Sequence, residues 1–284
     1  MDKPLVDLID EVLGRGDLEL QVFPPLVLKL RHLLSSDDYS MTDVANIIKK
    51  DQVLSTDLLK MANSAFYAGL TPVKTIRDAI VRLGAQSIVN LVTAITQKQL
   101  YRTHKNKYRH WMPPLWCHAL GVAFSSRWLC LNLGLNRLAE ESFMAGLLHD
   151  IGKLLLLKAI EDVEESELSQ RAISNSLIHD ILENMHTKHG SRLMEHLNMP
   201  EVYAQVVGRH HDPEIAAENI ILNVVRLGDL ACHKVGIGTK HDPGIMLSTT
   251  PEAVSLMAKD LALAELQVVL EEYMESTLKV MGDR

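Results

Sequence analysis

Apolar residues recur at three- and four-residue spacing along nearly the whole chain, and sustained apolar–polar alternation is almost absent. Strands repeat every two residues and helices every 3.6, so this pattern predicts an all-α fold. Aromatic residues are scarce at 5%, and Leu, Ile, Val, Ala and Met dominate the apolar set, which suits packed helices better than a β-sandwich. With 284 residues, 47% of them hydrophobic, the chain can bury the core of one large domain or two small ones.

Local punctuation divides the pattern. Pro24-Pro25 opens a helix carrying Leu26, Leu30, Leu33 and Leu34 that Asp37-Asp38 close, and Thr42 is the expected N-cap of a helix through Ile47 and Ile48. Leu54, Leu58, Leu59 and Met61 mark another helix, ending at Asn63-Ser64 before a loop at Gly69 and Pro72. Thr75 caps the next, whose stripe of Ile76, Ile80 and Leu83 stops at Gly84, and a longer helix follows from Gln86 to Gln99. The basic run from Arg102 to Pro114 reads as a solvated linker. It separates an N-terminal helical subdomain, 1–104, from a second helical subdomain, 105–240, followed by a loop and C-terminal helix, 241–284. In that second part helices are expected at 115–132, 137–158, 169–185, 187–198, 200–210, 219–235 and 261–280, with a loop from Pro243 to Pro251. The five carboxylates between Glu161 and Glu167 read as a solvated turn.

Lys plus Arg total 29 against 36 Asp plus Glu, a formal charge of -7, which disfavours broad affinity for nucleic acid or anionic lipid. Base-stacking aromatics are not interleaved with basic residues either. Cys117, Cys130 and Cys232 are odd in number and far apart, with no C-x-x-C pair, so they support neither a disulfide framework nor a thiolate zinc site. Asp2, Asp7, Asp10 and Glu11 interrupt the first apolar residues, which excludes a signal-peptide core, and no stretch approaches roughly 18 uncharged apolar residues. The expectation is a cytoplasmic protein with neither nucleic acid nor membrane as partner.

Thirteen histidines stand out, and all but His32 lie between His104 and His241. His-Asp pairs occur at His149-Asp150, His179-Asp180, His211-Asp212 and His241-Asp242, but the first alone sits in an otherwise apolar helical run, Met144 to Leu157. An adjacent imidazole and carboxylate can be buried there only with strong partners, and a metal ion supplies them. Nitrogen and oxygen donors together suit Mn, Fe, Co, Ni or Zn, and one aspartate can bridge two ions. Lys153, three residues after Asp150, shares its helical face and can meet a phosphate there, while Gly152 leaves room beside that face for a substrate. His118, His189, the pair His210-His211, and Asp229 within apolar Val224 to Ala231 complete one or two candidate octahedral sites. Each is an ordinary helix position taken singly, so the joint pattern carries the case.

In chain order, His118, His149-Asp150 within Gly146-Leu147-Leu148-His149-Asp150-Ile151-Gly152-Lys153-Leu154, His189-Gly190, His210-His211 and Asp229 resemble the ligand series H…HD…H…HH…D of the HD phosphohydrolase superfamily. Phe23-Pro24-Pro25-Leu26, Asp51-x-x-Leu54, Leu58-Leu59, Ala62-Asn63-Ser64-Ala65 and Ile76-x-x-Ala79-Ile80-x-x-Leu83-Gly84 resemble the HDOD domain, the HD-related output domain of bacterial signalling proteins. The resemblance spans residues 20 to 238. It implies an N-terminal helical bundle packed on an HD-like helical bundle, and a role in bacterial signal transduction. It also implies metal ligands at His118, His149, Asp150, His189, His210, His211 and Asp229, and one or two divalent ions, Fe, Mn, Ni, Co or Zn; in a phosphohydrolase Asp150 and Lys153 would take the catalytic roles. HDOD domains commonly lose part of this ligand set, whereas this chain keeps every position. After the paired histidines comes Asp212-Pro213-Glu214 with no Gly-Tyr-Pro, so cyclic di-GMP hydrolysis is not expected.

Two functions therefore compete. One is a regulatory output module that binds a signalling protein or a nucleotide signal; the other is a metal-dependent phosphohydrolase, either a phosphodiesterase or a nucleotide phosphatase. A helical scaffold with incidental histidines ranks third.

Overall fold

The computed structural model describes residues 3–15, 20, 22–36, 38–67, 69, 71–166, 173–214 and 218–282, and among these all regular structure is helical. The first six helices are α1 (Leu5–Gly14), α2 (Pro25–Leu34), α3 (Met41–Ile48), α4 (Gln52–Ala62), α5 (Ile76–Leu83) and α6 (Ala85–Gln97). A short α7 (Asn106–Arg109) leads into α8 (Met112–Asn132), α9 (Ala139–Leu148), α10 (Ile151–Glu165), α11 (Asn175–His196), α12 (Glu201–Arg209) and α13 (Ile220–Val235). The short α14 (Pro251–Ser255) and the long α15 (Asp260–Gly282) finish the chain.

Side-chain caps set many of the starts. Thr75 and Asp78 form a reciprocal capping box at α5, and Asp51, Ser174 and Asn219 each accept a hydrogen bond from the first turn of α4, α11 and α13. At α3 the cap is Ser40 rather than Thr42. Ser40 pairs with Asp43 in a second capping box, which places Thr42 inside the first turn. Gly84, at φ +84°, turns the chain between α5 and α6, whose axes bend by 119°. No single helix among the described residues is long and apolar enough to cross a membrane.

Helices α2 to α6 pack on one another, and Asn63 braces their longest loop by donating to Val73 O (3.0 Å) and accepting from Val73 N (2.9 Å). Helices α8 to α13 form the second bundle. The two bundles share one contiguous apolar core, joined where α6 meets α9. There Glu140 accepts from Ser87 Oγ (2.7 Å), Asn90 Nδ2 (2.9 Å) and Arg127 Nε (2.8 Å). Phe66 stacks on Phe124 at 4.8 Å, and Tyr273 of α15 meets both rings edge-on. Helix α1 turns Leu8, Ile9 and Val12 inward and packs on α10.

Three expectations change. The single helix expected at 137–158 breaks at His149-Asp150, because Asp150 (φ -103°, ψ 14°) leaves helical geometry and stands at the N-cap position of α10, its carboxylate turned to the centre instead of the helix end. The separate helices expected at 169–185 and 187–198 are one, α11, since no glycine or proline interrupts 185–187; residues 169–172 lie outside the described residues, as do Asp37 and Glu167. The basic linker and the acidic run are not separate solvated turns, because they are each other's partners. Residues 161–165 form the last turn of α10, where Lys105 Nζ reaches Glu161 O (2.8 Å) and Glu165 (3.2 Å). Glu164 accepts from Tyr108 Oη (2.6 Å) and pairs with Lys107.

Candidate metal centre

The helix break at residues 149–150 lies at the middle of the second bundle, and four other helices aim side chains at it. His118 comes from the middle of α8, His186 from α11, His210 and His211 from the C-terminal end of α12, and Asp229 and His233 from α13. The two oxygens of Asp150 face different partners. Oδ1 lies 3.2 Å from His186 Nε2 and 3.4 Å from His210 Nε2. Oδ2 lies 3.6 Å from His118 Nε2, 3.5 Å from His149 Nε2 and 2.7 Å from Lys153 Nζ. Asp229 Oδ1 lies 3.0 Å from His118 Nε2, 3.3 Å from His233 Nε2 and 4.0 Å from His149 Nε2. All these groups are buried or nearly so, apart from His211, which is exposed at the edge.

The imidazole tautomers follow from their other nitrogens. Nδ1 of His118 lies 2.9 Å from Ile237 O, that of His149 2.7 Å from Gly146 O, that of His186 2.7 Å from Leu182 O and that of His210 3.0 Å from Val207 O. A carbonyl can only accept, so all four Nδ1 atoms carry hydrogen, and the four Nε2 lone pairs turn inward. There they meet acceptors. His186 Nε2 lies 3.3 Å from His210 Nε2, and the Nε2 atoms of His118 and His149 and the Oδ1 atoms of Asp150 and Asp229 are buried without a hydrogen bond. So many converging lone pairs are unfavourable unless a cation lies between them.

The charge states suit that role. Burial drives His149 down to about 3, His186 to about 4 and His211 to about 3, which keeps these imidazoles neutral. Burial alone would raise Asp150, but Lys153 and the surrounding imidazoles hold it well below the usual carboxylate range, and His118 and His233 do the same for Asp229. Burial lowers His118, yet Asp229 and Asp150 outweigh it and shift the group upward, so without a metal this imidazole favours a proton on Nε2 that a bound ion displaces. Neutral imidazoles and ionised carboxylates are the ligand forms of divalent metals. The spacing fits as well: two donors about 2.1 Å from one ion are about 3.0–3.4 Å apart at right or tetrahedral angles. The residues therefore form three overlapping donor sets: Asp150 with His186, His210 and His211; Asp150 with His118 and His149; and His118 with Asp229 and His233.

His189 stands apart from the other residues named from sequence. Its Nε2 faces Asp10 Oδ1 of α1 at 3.4 Å, and His186, one turn earlier on α11, occupies the centre instead. Gly152 does not leave space for a substrate. A Cβ there would lie 2.0 Å from His186 O, so the glycine lets α10 approach α11 at Gly190. Lys153 lies beside Asp150 as expected and also faces Glu183 at 3.5 Å. His186 and His233 were absent from the sequence reading, although His233 stands four residues after Asp229, on the same helical face.

The chain is thus an all-helical protein with a buried histidine–aspartate cluster at a helix break. The HDOD domain matches residues 20–213, and the chain belongs to the HDOD family. An uncharacterized protein of Treponema pallidum (strain Nichols) is 24% identical over 204 residues, covering 70% of this chain and 39% of that protein. This chain thus spans well under half the length of that relative. The fold is shared with an HDOD domain protein of unknown function from Geobacter sulfurreducens, at TM-score 0.70 and 23% identity over 96% of this chain and 97% of that one. It is shared too with a provisionally assigned metal-dependent phosphohydrolase from Shewanella amazonensis SB2B, at TM-score 0.72 and 20% identity over 94% and 96% of the two chains.

Proposed function

We propose that this protein is a regulatory HDOD module of bacterial signalling whose HD-type centre holds one or two divalent ions, with His118, His149, Asp150, His186, His210, His211 and Asp229 as the donors. The observation that carries this reading is the set of four imidazoles whose Nδ1 hydrogens are committed to main-chain carbonyls, so that four Nε2 lone pairs converge on two carboxylates. A centre without a metal has no use for that arrangement, and a domain that had lost its ligands would not keep it. The signal is carried to a protein partner or comes from a bound nucleotide, in the cytoplasm. Elemental mass spectrometry on the whole chain, purified without a metal-affinity resin or chelator, tests the reading alongside Asp150→Ala. One to two equivalents of transition metal that collapse in the variant support it; metal-free wild-type protein overturns it.

A second reading, metal-dependent phosphoester hydrolysis, is favoured by Lys153, a buried ammonium 2.7 Å from Asp150. A divalent ion in this centre supplies Lewis acidity toward a phosphoryl oxygen and lowers the pKa of water. Lys153 fixes Asp150 Oδ2 and adds positive charge at the edge of the centre, while Glu183 holds Lys153 from the other side and pairs with Lys240 at the surface. This reading expects turnover of phosphomonoesters or phosphodiesters other than cyclic di-GMP, lost in both Asp150→Ala and Lys153→Ala; a metal-loaded protein inert toward both classes returns the assignment to the regulatory module.

A further inference from the structure

We propose that His233 is a metal ligand, a donor beyond the series H…HD…H…HH…D, and that it makes the two ion positions unequal. The inference rests on the centre binding divalent ions. Asp229 and His233 are four residues apart on α13, so both project from one face. Asp229 Oδ1 lies 3.3 Å from His233 Nε2 and 3.0 Å from His118 Nε2, and one donor atom from each of the three residues falls within 4.8 Å of the others. The Asp229 oxygen is buried and receives no hydrogen bond from His233, so His233 does not hold it through an N–H. The two rings are held in register: His118 and His233 stack at 5.1 Å with planes 5° apart.

The two sides of Asp150 differ accordingly. On the Oδ1 side three imidazoles gather, one of them, His211, exposed. On the Oδ2 side two donor sets meet at His118, one with His149 and Asp150 and one with Asp229 and His233, and the His233 side chain is 13% exposed. An ion on the His118 side that gains His233 as a further donor has fewer positions left for solvent or a ligand, whereas the position beside exposed His211 opens to the surface. The first is therefore the tighter, slowly exchanging site and the second the open one.

Titration of the metal-free whole chain with Co(II), followed by calorimetry and visible absorption, tests this with His233→Ala and His233→Gln. The wild type is expected to bind in two classes. Both variants should weaken the tighter class about tenfold or more, alter its Co(II) absorption and leave the weaker class in place; added imidazole should restore His233→Ala. Circular dichroism melts of the metal-free proteins confirm that the variants fold. Wild type that binds no Co(II) overturns this inference and the metal reading together. Two wild-type classes left unchanged in both variants, or kept by His233→Gln, overturn the role of His233 alone.

Discussion

Asp150 connects the two halves of the centre, with Oδ1 toward α11 and α12 and Oδ2 toward α8 and Lys153. Removing one partner of such a buried pair leaves an uncompensated charge, so Lys153→Ala is expected to destabilise the metal-free protein by about 3–5 kcal/mol in urea unfolding. A loss under 1 kcal/mol would mean that the imidazoles alone suffice to hold the carboxylate. Gly152→Ala tests the approach of α10 to α11. Overpacking costs about 1–3 kcal/mol, and here the added methyl meets backbone, which cannot swing aside, so the upper end is expected, with weaker metal binding as His186 is pushed from Asp150. Much of this centre was legible in the sequence: His118, the His149-Asp150 pair, Lys153, His210, His211 and Asp229 are brought together. His189 was named from the ligand series while residue 186 fell in the expected break between two helices; in the single α11, which histidine faces inward depends on how α11 meets α10. That is fixed by the Gly152–Gly190 approach, a contact across 38 residues that periodicity does not carry.

Most helices were legible in the 3.6-residue pattern, though α1 (Leu5–Gly14) was not expected, and helix ends were read less well. Proline and capping residues located the starts of α2 and α5, but the break between α9 and α10 carries neither glycine nor proline at residues 149–150, and its apolar flanks look continuous. The break is made by the site, where Asp150 leaves helical geometry to aim its carboxylate inward. The basic linker and the acidic end of α10 were each legible as charged segments, but their pairing spans more than fifty residues and so was not. The joint between α6, α8 and α9 depends on Glu140, which Ser87, Asn90 and Arg127 all reach. Glu140→Ala is expected to cost about 1.5–3 kcal/mol in denaturant unfolding, and Glu140→Gln less, because it keeps an acceptor. Equal losses would show that charge, not hydrogen bonding, holds the joint.

For the whole molecule, one core unites both bundles, with α1 and α15 laid against the second. An ion bound only by the folded chain stabilises all of it, and at a hundred times its dissociation constant the gain is about 2.7 kcal/mol per ion. Adding a chelator to metal-loaded protein is therefore expected to lower the melting temperature, and Asp150→Ala to abolish that response; a chelator-insensitive melt in the wild type would favour a scaffold with incidental histidines. If this fold gathers its histidines around Asp150 and Asp229 to hold divalent metal, anomalous diffraction from crystals grown with Mn(II) locates the ions there. One or two anomalous peaks are expected, each within about 2.3 Å of Asp150 and of Nε2 atoms from His118 and His149 or from His186 and His210. A crystal with no peak there, or with Mn(II) only on surface carboxylates, would contradict it.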